Sequence, residues 1–114
     1  MAYYAGLDVS LEQTSVCAVD EAGAVVLERR VATEPAAIAA GLATLPEMPA
    51  RLLLETGGLT PWLWHELSAR SLVVHCIDAR RAKAQLALRP NKTDRNDARA
   101  LAEIARMGWY ATFG

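Results

Sequence analysis

The sequence predicts an α/β domain built on a mixed sheet: a three-strand antiparallel meander followed by strand–helix units, with helices on the sheet faces. Three observations predict it. The first third of the chain alternates apolar and polar residues with a period of two, broken by short turns. The rest sets short, wholly apolar runs between Ala- and Leu-rich stretches of helical period. And 114 residues, 53% of them hydrophobic, suffice for one domain with a real core.

Residues 3–9 place Tyr3, Ala5, Leu7 and Val9 on one face and Tyr4, Gly6 and Asp8 on the other, a first strand. Residues 14–19, rich in β-branched side chains, form a second. Glu21, Ala22 and Gly23 turn the chain into a third over 24–31, with Val25, Leu27 and Val31 on one side. Residues 34–45 are Ala-rich and helical, with Ile38, Leu42 and Leu45 as apolar positions, and Pro46 and Pro49 end the helix. Residues 51–55 are a short strand buried on both faces. Gly57 and Gly58 lead into a helix over 61–70, where Pro61 suits the first turn. Residues 72–77 are another buried strand, 79–88 a short basic helix or turn, and 89–92 a loop. A last helix begins near Thr93, a good N-cap just after Pro90.

No run approaches 18 apolar residues, so no membrane span is expected. The first residues lack the basic and apolar regions of a signal peptide, which makes a cytoplasmic location the expectation. Cys17 and Cys76 fall in strands, where a free thiol is a small buried hydrophobe. His75 and Cys76 are strand neighbours that point to opposite faces, which argues against a zinc set with His65. Of Trp62 and Trp64, two apart on a helix, one is expected in the core and one at the surface. The net charge of −1 hides an asymmetry: residues 1–78 carry 4 Lys and Arg against 10 Asp and Glu, and residues 79–106 carry 8 against 3. A basic segment around an acidic pair suits a polyanion site with metal-binding carboxylates, although a solvated helix face would show the same balance.

The acidic pair is Asp94 and Asp97. Three apart, they share a helix face, and that face continues through Ala98, Leu101, Ala102 and Ala105, the stripe of a core-facing helix. Arg95, Arg99, Glu103 and Arg106 take the other side. The helix macrodipole favours acids in a first turn by about 0.3–1 kcal/mol each, but it is indifferent to which face they choose. Carboxylates on the buried side cost desolvation unless a cation meets them. Asp8 at a strand end, and Glu55 at the carboxyl edge of a buried strand, could join them. Mg2+ takes oxygen ligands and keeps waters, so one or two carboxylates per ion suffice.

Three blocks carry a family resemblance: Gly6-Leu7-Asp8-Val9-Ser10, Leu54-Glu55-Thr56-Gly57, and Lys92-Thr93-Asp94-Arg95-Asn96-Asp97-Ala98. Together they resemble the N-terminal domain of the DEDD transposases, the Piv-type DNA invertases and the bridge-RNA-guided insertion-sequence recombinases, over residues 3–107. The third block is the most specific. The resemblance implies a RuvC-like, ribonuclease H-like fold in which Asp8, Glu55, Asp94 and Asp97 bind Mg2+, or Mn2+ in its place, at a DNA phosphodiester. It also implies DNA and a guide RNA as partners, homo-oligomerisation of the whole protein, and a later domain supplying a serine nucleophile. On that basis residues 1–107 are the RuvC-like domain and 108–114, with Trp109, Tyr110 and Phe113, begin a connection. A chain of this extent would not recombine DNA alone. Arg80, Arg81, Lys83, Lys92, Arg95 and Arg99 are the expected phosphate contacts.

Other functions remain open on the residues themselves. An actin-like or sugar-kinase ATPase half-domain also opens with an Asp-bearing strand and a hairpin, but its phosphate loop wants Gly where Val9 stands. A non-catalytic interaction module of the same fold would use the acids as caps and surface charge. A stand-alone Holliday-junction resolvase is disfavoured by the third block.

Overall fold

The computed structural model describes residues 1–78 and 97–108. Five strands, β1 (Tyr4–Val9), β2 (Gln13–Val19), β3 (Val25–Ala32), β4 (Arg51–Glu55) and β5 (Val74–Ile77), form one sheet in the order β3-β2-β1-β4-β5. β1, β2 and β3 are antiparallel neighbours; β4 runs parallel to β1, and β5 parallel to β4. Helices α1 (Pro35–Leu42) and α2 (Thr60–Ser68) cover one face, and α3 (Asp97–Met107) covers the other. This is the expected ribonuclease H-like mixed sheet. Among the described residues, no helix is long and apolar enough to cross a membrane.

Strand alternation assigns each residue to a layer. Ala5, Leu7, Val16, Ala18, Leu52 and Leu54 pack with Ile38 and Leu42 of α1 and Leu63 and Leu67 of α2. Leu53 and Ile77, with Cys17 and Val19, point the other way and meet Ala98, Leu101, Ala102, Ile104 and Ala105. Leu52, Leu53 and Leu54 are all fully buried, as a central strand covered on both faces requires. The β2–β3 turn forms because the Asp20 carboxylate accepts from the Ala22 and Ala24 amides at 2.9 and 3.0 Å, and Gly23 adopts φ +87°.

Several boundaries differ from expectation. α1 stops at Leu42, because the Thr44 hydroxyl donates to the Gly41 carbonyl at 2.7 Å and the chain turns while still burying Leu45. α2 begins at Thr60, and β5 begins at Val74, after Ser71 reverses the chain with φ +66°. Neither tryptophan enters the core: Trp62 and Trp64 are 45% and 36% exposed. α2 instead buries Thr60, Leu63 and Leu67, whose spacing of three and four defines the inward face. The indole N–H of Trp64 donates to the Val74 carbonyl at 3.2 Å, so the ring lies along edge strand β5.

Glu103 also departs from its expected place on the outer side of α3. It is buried, and its carboxylate accepts from the Arg106 guanidinium, with the Nε bond at 2.9 Å. The pair packs beside Gly23 at the β2–β3 turn, so a partner offsets its desolvation. That bond and the neighbouring negative charge hold the Arg106 pKa above its ordinary value, against a smaller effect of burial. The predicted 79–88 helix or turn, the 89–92 loop, the Thr93 cap and the aromatic residues at 109–113 lie outside the described residues.

The placement of α3 depends on Gly6. A Cβ at that position would fall on the Ala98 carbonyl oxygen, 2.5 Å from the Ala102 nitrogen and 2.7 Å from the Leu101 Cβ. Strand and helix therefore meet backbone to backbone, which only glycine permits. Overpacking a close contact costs about 1–3 kcal/mol, and here the obstructing atoms are mostly main chain. Gly6→Ala is expected to reach the upper end of that range or exceed it in urea denaturation; a loss within 0.5 kcal/mol would contradict the contact.

Candidate functional site

Asp8 and Glu55 become neighbours through strand register. β1 and β4 pair in parallel with Gly6 opposite Leu53 and Leu7 opposite Leu54, so Asp8 and Glu55 come one step beyond the last pair. Neighbouring strands lie about 4.8 Å apart. Both residues share the α3-facing parity of Gly6 and Leu53. Asp8 is exposed and Glu55 half-buried, and both line one cleft of about 490 Å³ at the carboxyl ends of the strands. The cleft is walled by the β1–β2 connection at Ser10 and Leu11 and by the β4–α2 connection at Gly57 and Gly58.

Hydroxyl groups pin both rims. Ser10 donates to the Gln13 carbonyl through its amide at 3.0 Å and its side chain at 2.5 Å. The Thr33 hydroxyl donates to the Ser10 carbonyl at 2.7 Å and pairs with the Thr14 hydroxyl at 2.9 Å in the interior. On the other rim, the Thr60 hydroxyl donates to the Glu55 carbonyl at 2.7 Å, and the Thr56 amide donates to the Ile77 carbonyl at 2.9 Å. Strand and helix periodicity says nothing of these hydroxyl contacts. The one available signal was β-branched Thr in otherwise apolar surroundings, which does not reveal a partner 19 residues away.

α3 runs over the sheet away from that edge. Its carboxyl end is held at the start of β4, where Arg51 Nε donates to the Ala105 carbonyl at 2.8 Å and a terminal nitrogen donates to that of Arg106 at 3.1 Å. The Arg51 guanidinium also lies 4.8 Å from the centre of the Tyr4 ring. Gly108, at φ +75°, closes the helix with its amide on the Ile104 carbonyl at 2.9 Å. A cation at the negative end of the macrodipole completes the anchor. At 1.5 Å per residue the helix is roughly 16 Å long, against roughly 13 Å of strand from Arg51 to Glu55. Asp97, the first described residue of α3, therefore lies at the end of the sheet that carries Asp8 and Glu55.

Asp94, Arg80, Arg81, Lys83, Lys92 and Arg95 lie outside the described residues. Arg99 is described: its guanidinium bonds both carboxylate oxygens of Glu28 on β3, at 3.0 and 3.1 Å. Among the described residues, no three His, Cys, Asp or Glu side chains gather as a metal set; Asp8 and Glu55 are the described acids that line the cleft. Burial pushes the Cys17 thiol up to about 11, helped by the negative Glu28, and burial also raises Cys76. Neither thiol is ionised near neutrality, which suits packing residues.

Fold and cleft define a class: a ribonuclease H-like domain with paired carboxylates at the ends of its first and fourth strands. The chain matches the transposase family of the DEDD, IS110 type over residues 5–112, and it belongs to that family. Comparison with curated proteins finds no match.

His75 pairs with Leu53 across β4 and β5. Burial lowers its pKa from the ordinary 6.5, and the nearby Arg51 lowers it further. The unfolded chain then binds the proton more readily, so stability due to neutral His75 is complete above pH 6.5 and is lost as pH falls through the lower folded value. Urea midpoints taken from pH 7.5 down to 5 are expected to drop in the wild type and to drop less in His75→Asn. Equal slopes would show that His75 is not the group responsible.

Proposed function

We propose that this chain is the metal-binding, RuvC-like domain of a DNA transposase, in which Asp8, Glu55, Asp94 and Asp97 hold Mg2+, or Mn2+ in its place, against a DNA phosphodiester during strand cleavage and exchange. The observation that carries this is the side-by-side placement of Asp8 and Glu55 at adjacent strand ends, on one cleft, with α3 opening at the same edge. The donor set fits the ion: hard carboxylate oxygens on a solvent-open cleft are what Mg2+ prefers, with waters completing its shell. When bound, the ion neutralises charge on the phosphate oxygens and helps align the attacking and leaving groups. The chain's own residues supply position. Strand pairing holds Asp8 and Glu55 on one face, and a spacing of three would put Asp94 and Asp97 on one side of a helix that included both.

Membership in a transposase family implies action on DNA. The finer parts of the proposal rest on the motif resemblance. They are a serine nucleophile from a further domain, a guide RNA, oligomerisation of the whole recombinase, Piv-type or bridge-RNA-guided chemistry, and a cytoplasmic setting. In this scheme residues 1–107 are the metal-binding domain and 108–114 lead to the next. The basic residues Arg80, Arg81, Lys83, Lys92, Arg95 and Arg99 track phosphates, with Arg99 exchanging or sharing Glu28. With the family shown, the ATPase half-domain loses its support.

Two outcomes test this. In the complete recombinase, Asp8→Asn, Glu55→Gln, Asp94→Asn and Asp97→Asn should each lower strand cleavage by on the order of 100-fold or more, the loss of several kcal/mol of charge stabilisation. Near wild-type cleavage by any of them removes that residue from the set. Replacing the six basic residues with Ala should weaken DNA binding and flatten its dependence on salt, by roughly 0.7–0.9 in log–log slope per lost phosphate contact. An unchanged slope would show that they do not touch phosphate.

A further inference from the structure

We infer that Gly57 and Gly58 form a bare wall against which the sugar–phosphate backbone of a nucleic-acid strand lies as it passes Asp8 and Glu55, with Leu11 as the facing wall that meets a base. This rests on the proposed metal-dependent nucleic-acid site, since two carboxylates would otherwise repel the strand. The fold gives no reason of its own for either glycine. Among the described residues, positive φ in glycine occurs at Gly23 and Gly108, not at Gly57 or Gly58. A Cβ at Gly58 would meet nothing within 4 Å among those residues, and one at Gly57 would meet only the Thr60 hydroxyl at 3.9 Å, an ordinary contact. Gly6, by contrast, is crowded by the Ala98 and Ala102 main chain and the Leu101 Cβ.

Glycine loses more conformational freedom on folding than any other residue, so two in succession weaken a loop unless something needs the space. This loop is otherwise well held, by the Thr56 amide on Ile77, the Thr60 hydroxyl on Glu55 and the Thr60 amide on the Gly57 carbonyl at 3.2 Å. The space that a side chain would take is the cleft itself. Across it stands Leu11, 81% exposed, on a turn braced from beneath by the Thr14–Thr33 hydroxyl pair. Bare backbone on one wall and an exposed apolar side chain on the other match the two surfaces of an unstacked nucleotide, a ribose–phosphate edge and a flat base.

The test titrates a short single-stranded DNA containing 2-aminopurine into the full chain, with Mn2+ or with EDTA. Gly58→Ala should weaken Mn2+-dependent binding a few-fold and Gly58→Leu tenfold or more, with thermal midpoints unchanged or raised and Mn2+ affinity of the protein alone unchanged. Leu11→Ala should reduce the 2-aminopurine signal at saturation. If Gly58→Leu binds within twofold of wild type while Asp8→Asn loses the Mn2+-dependent part, this inference fails and the metal site stands. If the wild type shows no Mn2+-dependent binding, both fail. A lowered thermal midpoint for Gly58→Ala would assign the glycine to the fold and also overturn the inference.

Discussion

The main-chain contact between β1 and α3 at Gly6 sets the position of everything else on that side of the sheet. No side chain separates the two elements there, so the helix cannot slide or roll without colliding with the strand. Arg51 and Gly108 then hold the far end, with two guanidinium bonds onto the last helical carbonyls and a left-handed closing residue. A helix pinned at its middle and its carboxyl end has little freedom at its amino end. The described start of α3, at Asp97, lies at the edge that carries the carboxylates of β1 and β4.

This division matters to the proposed site, in which like charges would be assembled. Carboxylates brought to one point raise one another's energy unless a cation or donors oppose them. Part of that cost is met by solvent: the cleft is open, and Asp8 is exposed on it. The two carboxylates from strands are held by register. In the proposed set, those from the helix would follow its packing. Coupling between the two groups runs through Gly6, two residues before Asp8 on the same face of β1.

Much of this was legible in the sequence because it depends on local period. The alternation of Tyr3, Ala5 and Leu7 against Tyr4, Gly6 and Asp8 assigned faces correctly, and the Ala98, Leu101, Ala102 and Ala105 stripe identified the buried side of α3. Asp8 and Glu55 could be nominated from strand ends. What escaped were features created by tertiary contact. Glu103 looks like a surface acid by helical spacing, and only the arrival of the β2–β3 turn makes a buried ion pair with Arg106 the better arrangement. Trp62 and Trp64 differ too little in angle from the Leu63–Leu67 face for spacing to decide between them, and both flank it. The roles of Gly6 and the Thr14–Thr33 pair depend on residues far along the chain, about which spacing is silent.

The central claim is that oxygens from β1, β4 and the opening of α3 share one divalent ion. The most direct measurement is substoichiometric Mn2+ added to the isotopically labelled chain, read as paramagnetic broadening of backbone amide resonances. The account predicts that amides around Asp8, Glu55 and Asp97 fade first and together, while those beside the surface acids Glu47 and Glu66, which do not line the cleft, persist. Broadening spread evenly over the acidic surface, or confined to one of the three segments, would contradict it.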